Sequence, residues 1–427
     1  MGGLPPTNNS PARGASGWYP LQMLTLLLAC DVGVPLGRPD APERVDHEVA
    51  TADWTVDCAG GADFETIGDA IDAASSEQVI DVAPCTYSEN INFGGKSLTI
   101  RGTSGSSETI LQASTGAVVT ATTGEGEGTA IIGFTLTGGN YTYGSAVYMD
   151  FSALRLEDVL ITDNQGSYVI YSASGDLELE GVTFAGNSLR GGMLIYASKG
   201  AVLANNSSFE CDNGSYGAYF SHGSAYVDRA SFTCDGTYAT YWEHAVGRLR
   251  RSDLTGSVVV VSEDDHYDDV VTIENSIIHG GVGSTYGSLA LVNSVMDGQL
   301  TASSTYTSTR IEGNVFTGST CAISSDLVVI RDSADTSIIY PVDPFTVRNN
   351  LFWDVARPNC DGDTYVGVDG NIEGDPLFTD YAGGDLHLGA GSPAIDAGPE
   401  DDGYDDVDGS RNDIGVYGGR SSLDGGW

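Results

Sequence analysis

The chain carries 59 acidic against 18 basic residues in 427, a formal charge of −41. Nucleic acid is therefore not an expected partner, since phosphate binding needs clustered cations to displace counterions, and any polyanion would need a cation bridge. Fifty-seven glycines and 21 tyrosines, set against only two lysines, Lys96 and Lys199, fit an extracellular, turn-rich β protein better than a cytosolic enzyme.

Residues 21–30, LQMLTLLLAC, form an apolar run that ends at Cys30 and is too short to span a bilayer as a helix. It reads as a signal sequence, and Leu27-Leu28-Ala29-Cys30 resembles the bacterial lipoprotein cleavage box, in which the cysteine becomes a diacylated N-terminus. Arg13 is the one basic side chain ahead of it, so a plain secretory signal and a misassigned start remain alternatives. The expectation is a signal over 1–30, membrane attachment through lipid on Cys30 only, and a flexible tether over 31–52, which is rich in Pro, Asp and Glu and lacks apolar periodicity. Six further cysteines, an even number in an exported chain, point to disulfides rather than thiol chemistry.

From 53 to 420 the pattern is that of one solenoid. Asp63 is placed to N-cap a short helix with Phe64, Ile67 and Ile71 on one face, and a strand follows over 78–82. Such a helix would cover the open first coil. Downstream, apolar residues ahead of polar turns form a column, Leu111, Leu136, Ile161, Phe184, Phe209, Phe232, Leu254 and Ile278, with steps of 25, 25, 23, 25, 23, 22 and 24 residues. Short alternating runs recur within each repeat with no helical period between them, which predicts coils of short parallel strands, roughly 10–12 in all. Leucine-rich repeats share this period, but their leucine-asparagine consensus is missing.

Cys211 and Cys234 each lie two residues after a column phenylalanine, hence in one slot on successive coils. Strands stacked about 4.8 Å apart bring their Cα atoms within disulfide range. Cys58 with Cys85 would clamp the N-terminal cap, and Cys321 pairs with Cys360 by elimination. The 36 residues from Phe316 to Phe352 predict a protruding loop, the kind of insertion that often carries binding function.

The segment ADFETIGDAIDAASSEQVIDVAPCTYSENINFGGKSLTIRG, 62–102, resembles the N-terminal module of pectin-lyase-like right-handed parallel β-helix proteins. GDPLF at 374–378, DLHLGAGSPAIDAG at 385–398 and DVDGSRNDIGVYGG at 406–419 resemble the closing segment of bacterial members. GFTLTGGN followed by GSAVYM is similar to the repeats of polymorphic outer-membrane proteins. The resemblance implies an all-β, right-handed β-helix over most of 53–420. It implies no single activity, since the superfamily contains lyases, hydrolases, esterases, adhesins and noncatalytic surface proteins. Cys85 departs from the module, which usually has glycine there.

Glycosyl hydrolases on this fold use closely placed carboxylates, and members show a paired-Asp segment and a Gly-His-Gly turn; neither occurs here in that context. The acidic stretch 263–269 has residue types that suit calcium, but it falls between repeats, where a solvated loop is the simpler reading. Asp402, Asp406 and Asp408 have a spacing reminiscent of calcium loops and make calcium the one expected cofactor. The bidentate Glu of an EF-hand is missing, and an acidic surface turn is the alternative.

Aligned repeats place Tyr148, Tyr171, Tyr196, Tyr219 and Tyr241 in one column, with the basic residues Lys199, His222 and His244 three positions after the last three. The flanks, such as Val147 and Met149, alternate against the tyrosines and are the more apolar, which turns the tyrosines outward. Tyrosines with the adjoining Trp242 suit sugar stacking, and the three bases suit anion binding or proton abstraction. The competing readings are a ladder packed for stability and ordinary turn residues. The preferred expectation is an exported, monomeric surface lipoprotein that binds glycans or other cell-surface material without catalysis. A calcium-dependent lyase of acidic polysaccharide, with Lys199, His222 and His244 as candidate bases, is second, and a structural envelope spacer is third.

Overall fold

A computed structural model describes residues 50–422 apart from 190, 213, 263–269, 304–307, 327–329, 332–336, 339–344, 363, 402 and 421. The stretch expected to be a signal sequence, Cys30, nearly all of the expected tether, the acidic stretch and Asp402 lie outside the described residues, as does most of the loop expected before Phe352.

The chain winds into a right-handed parallel β-helix of about 12 turns, the hand that parallel crossovers adopt. One coil shows the plan. The strand Tyr168–Ala173 lies on a first face, Ser174 turns the corner, Asp176–Glu180 lies on a second, Gly181 turns again, and Thr183–Ala185 lies on a third. A longer loop then leads to Met193–Ser198, which pairs in parallel with the starting strand. Among the described residues the second face is a 13-stranded sheet. The first and third merge into a 22-stranded sheet because Ser231–Glu243 and Asp253–Val261 run through the corner between them.

The apolar column is in register from coil to coil: Leu111 opposite Leu136, Ile161 opposite Phe184, Phe232 opposite Leu254, and on through Ile278, Met296, Phe316 and Phe352. Phe184, Phe209 and Phe232 stack at 5.0 and 4.3 Å inside the helix. Each such buried ring contributes about 2 kcal/mol by leaving water. Corners between the first two faces use left-handed backbone at Phe151, Ser174, Lys199, His222 and His244. Glycine follows three of them, and a Cβ at Gly200 would run into the Gly175 carbonyl one coil away.

The N-terminal helix spans Ile67–Ala73 and buries Ile67, Ala70 and Ile71, but its cap is Thr66, whose hydroxyl accepts from the Asp69 N–H. Asp63 instead bonds Thr55, because Phe64 is still extended, bridged to Val56 and edge-on to Trp54. The three expected disulfides form, with Cα separations of 6.4 Å for Cys58–Cys85, 4.9 Å for Cys211–Cys234 and 5.4 Å for Cys321–Cys360. Three disulfides mark an exported protein, and among the described residues no helix is long and apolar enough to cross a membrane.

On the third face the outward column is mostly polar early, with Thr183, Ser208, Ser231 and Asp253, and turns apolar at Ile277, Val295, Val315 and Leu351. The C-terminal segment covers that apolar part with Leu386, Ala394, Ile414 and Val416.

Candidate functional site

The five tyrosines occupy one register row: Tyr148 pairs with Tyr171, Tyr171 with Tyr196, Tyr196 with Tyr219, and Tyr219 with Tyr241. Their neighbours Val147, Met149, Ile170, Ile195, Ala218 and Phe220 are buried, so pleat alternation puts every ring outward. Successive rings stack at 5.8, 5.2, 5.5 and 4.9 Å with planes within 27°.

A second tyrosine group lies beside the first, and sequence reasoning missed it. Tyr143 stacks on Tyr168, Tyr168 lies 5.3 Å from Tyr196, and Tyr216 stacks on Tyr238 at 5.2 Å. Tyr141 meets Tyr148 edge-on. The outermost rings are open to solvent, Tyr143 at 50% and Tyr141 at 41% exposure. Burial first, then neighbouring phenols, raises Tyr168 and Tyr171 above the ordinary tyrosine value. Tyr219 rises well above it through burial and then a hydrogen bond to Glu243, so these phenols are neutral donors at physiological pH.

Trp242 does not belong to this surface. Its side chain is fully buried, tilted against Phe220 at 4.7 Å, with Nε1 donating to Thr240 Oγ1 at 3.0 Å. It follows outward-facing Tyr241 directly, and the pleat sends it inward, so it cannot meet a surface ligand.

Lys199, His222 and His244 form the corner column next to the tyrosines, with φ of 60°, 55° and 48°. Each backbone N–H continues the ladder onto the next coil, Lys199 to Ser221, His222 to Glu243 and His244 to Val261. They are turn residues; the two imidazoles lie 4.8 Å apart, and Lys199 and His222 are exposed. Ser221 Oγ lies 2.8 Å from His222 Nδ1 and 3.2 Å from Glu243 Oε2. The Ser221 hydroxyl thus bridges the Glu243 carboxylate and the His222 ring, and the imidazole tautomer sets which of the two ring-side partners donates.

Of the three C-terminal aspartates, Asp402 lies outside the described residues. Asp406 accepts from the N–H groups of Asp413 and Gly419, and Asp408 accepts from the N–H and hydroxyl of Ser410. Among the described residues, no three acidic, His or Cys side chains are grouped to hold a metal.

No protein-family model matches the chain, and no curated protein matches it. Solved structures do. A pectate lyase is 14% identical, matched over 82% of this chain and 90% of its own, with a TM-score of 0.37. A carrot pectin methylesterase is also 14% identical, over 77% and 90%, with a TM-score of 0.28. A pectin methylesterase solved with a hexasaccharide is 13% identical, over 81% and 99%, with a TM-score of 0.25. At such scores and identities these likenesses carry no argument about activity; the architecture rests on the strand register above.

Proposed function

We propose that the tyrosine face binds glycan chains without catalysis, on a monomeric protein held at the cell envelope by lipid on Cys30. The observation that carries this reading is the outward tyrosine row on five successive coils with a second tyrosine group beside it. Neutral phenols offer flat apolar faces to sugar rings and hydroxyl donors to sugar oxygens. An extended row of equivalent rings suits a polymer better than a small molecule, which would favour a closed pocket.

The test is retention of the full-length protein in gels containing a panel of soluble polysaccharides. The Tyr171→Ala/Tyr196→Ala double variant removes two central rings, and losing about 1.4 kcal/mol of stacking weakens retention about tenfold. Retention unchanged by the double variant would sink the reading.

One observation favours a second reading, a lyase acting on acidic polysaccharide. The Glu243–Ser221–His222 chain ties an exposed imidazole to a carboxylate through one hydroxyl, and an imidazole is a side chain able to take the proton beside a uronate carboxylate. No step is assigned to calcium. Ultraviolet absorbance of unsaturated uronate, rising with the native chain and absent with His222→Ala, would establish the lyase in place of the noncatalytic binder.

A further inference from the structure

Away from the tyrosine face, the third face meets the C-terminal segment at a cleft of about 360 Å³ whose lining includes Asp253, Ile277, His279, Val295, Asp297 and Tyr381. Ile277 and Val295 supply an aliphatic floor. Tyr381 forms a wall fixed from behind, stacked on Phe378 at 5.7 Å and edge-on to Trp353 at 5.2 Å. His279 Nδ1 lies 2.7 Å from Asp297 Oδ2, while Nε2 faces Asp253 Oδ1 at 3.7 Å, beyond hydrogen-bond reach. That Asp253 oxygen is closed off from solvent and receives no hydrogen bond, although a shielded carboxylate oxygen needs a donor. With two carboxylates against one imidazole, the cleft is negative even when His279 is protonated.

We propose that this cleft binds a small organic cation, an alkylammonium or alkylguanidinium whose head lies between Asp253 and Asp297 and whose stem lies on Ile277, Val295 and Tyr381. A cationic head is the charge partner that the two partly exposed carboxylates call for, and the Tyr381 ring adds cation–π attraction. The volume lies in the range of small-molecule sites. A bare metal ion fits worse, because the aliphatic floor gives it nothing and, among the described residues, no set of His, Cys and acidic side chains is arranged to hold one.

The charged and titratable groups facing the head are Asp253 and Asp297 from the coils, with His279 between them, and Tyr381 from the turn of the C-terminal hairpin, in which Phe378–Asp380 pairs antiparallel with Asp385–Leu388. Asp385 of the hairpin is paired with its own His387 at 2.6 Å. The hydrogen bond to Asp297 raises His279 above the ordinary imidazole value, against its burial, and the charges of Asp297 and Asp253 add to the rise. Ligand and imidazolium compete for the same carboxylates. Binding therefore tightens as pH rises through the His279 titration and weakens on acidification.

Calorimetric titration of the full chain with agmatine, at physiological salt, tests this. The expected result is saturable one-to-one binding, weakened about tenfold by Asp297→Asn and several-fold by Tyr381→Leu, and tighter at mildly alkaline than mildly acid pH. Glutarate, of similar size and opposite charge, gives no binding. Neutralising one carboxylate hardly alters an acidic surface of this size, so diffuse counterion attraction gives weak, salt-erased heats of equal size from native and variant proteins. That result overturns the proposal, as does native-like binding by a Tyr381→Leu protein with an unchanged melting temperature.

Discussion

Glu125 is buried in the turn between Val119–Ala121 and Ala130–Ile132, where its carboxylate accepts from the Thr123 hydroxyl and N–H, the Gly95 N–H and the Ser152 hydroxyl. Burial alone would raise it, but the four donors outweigh burial and hold it at about 2 against an ordinary 4.5. Because the folded value is depressed, the stabilisation is complete above the ordinary value and is lost as pH falls through about 2. Glu125→Gln is expected to cost about 2 kcal/mol in neutral denaturant melts, with the gap to the native protein closing in that acid window. The corner column allows a cleaner separation of backbone from side chain. Lys199→Gly and His222→Gly suit a left-handed φ and should keep stability within about 1 kcal/mol, whereas Lys199→Val should lose more. Any binding lost in the glycine variants then belongs to the side chain. At this scale the outward tyrosine row was legible from its apolar flanks. The second tyrosine group was not, because two successive buried residues, such as Val169 and Ile170 or Leu194 and Ile195, break the period-two pattern that reading relied on.

Between elements, the corner from the second face to the third is held by an internal polar ladder. The Ser252 N–H donates to Ser276, Ser276 to Ser294, Ser294 to Asn314, Asn314 to Asn350, and Asn350 to Asn371. Asn350 also donates to the Ile311 carbonyl one coil back, and its side chain is fully buried. Asn350→Ala leaves the Asn314 N–H and the Ile311 carbonyl without that partner, so a loss of about 3 kcal/mol is expected in equilibrium unfolding. The apolar column could be read from spacing because burial selects it on every coil. The Ser and Asn ladder could not, since the same residues are common in any turn and only stacking shows that they bond to one another. The Cys211–Cys234 pair lay between these cases, legible because two phenylalanines set its register.

For the molecule as a whole, the switch in the outward column is decisive. Polar residues such as Ser208 and Ser231 are left uncovered, and the apolar run of Val295, Val315 and Leu351 begins where the C-terminal segment lies over it. That segment is also tied down by Asn275, whose side chain donates to the Val416 and Gly418 carbonyls, and by Asn293, which donates to Gly418. Ending the chain after residue 392 is expected to expose the run and produce self-association visible by light scattering; a monomeric product would show the cover to be dispensable. The resemblance of 374–378, 385–398 and 406–419 to a closing segment marked these stretches as the close of the β-helix. It did not show which face the cap shields, because that depends on a column whose polarity changes only once coils are stacked. The tyrosine row has a further consequence. Its steps are near-equal shifts along the axis, so a polymer moved by one coil meets almost the same surface. Such a ligand has several equivalent registers, and its apparent affinity should grow with chain length through their number alone. It can then creep along the row without letting go, like a rope passed hand over hand.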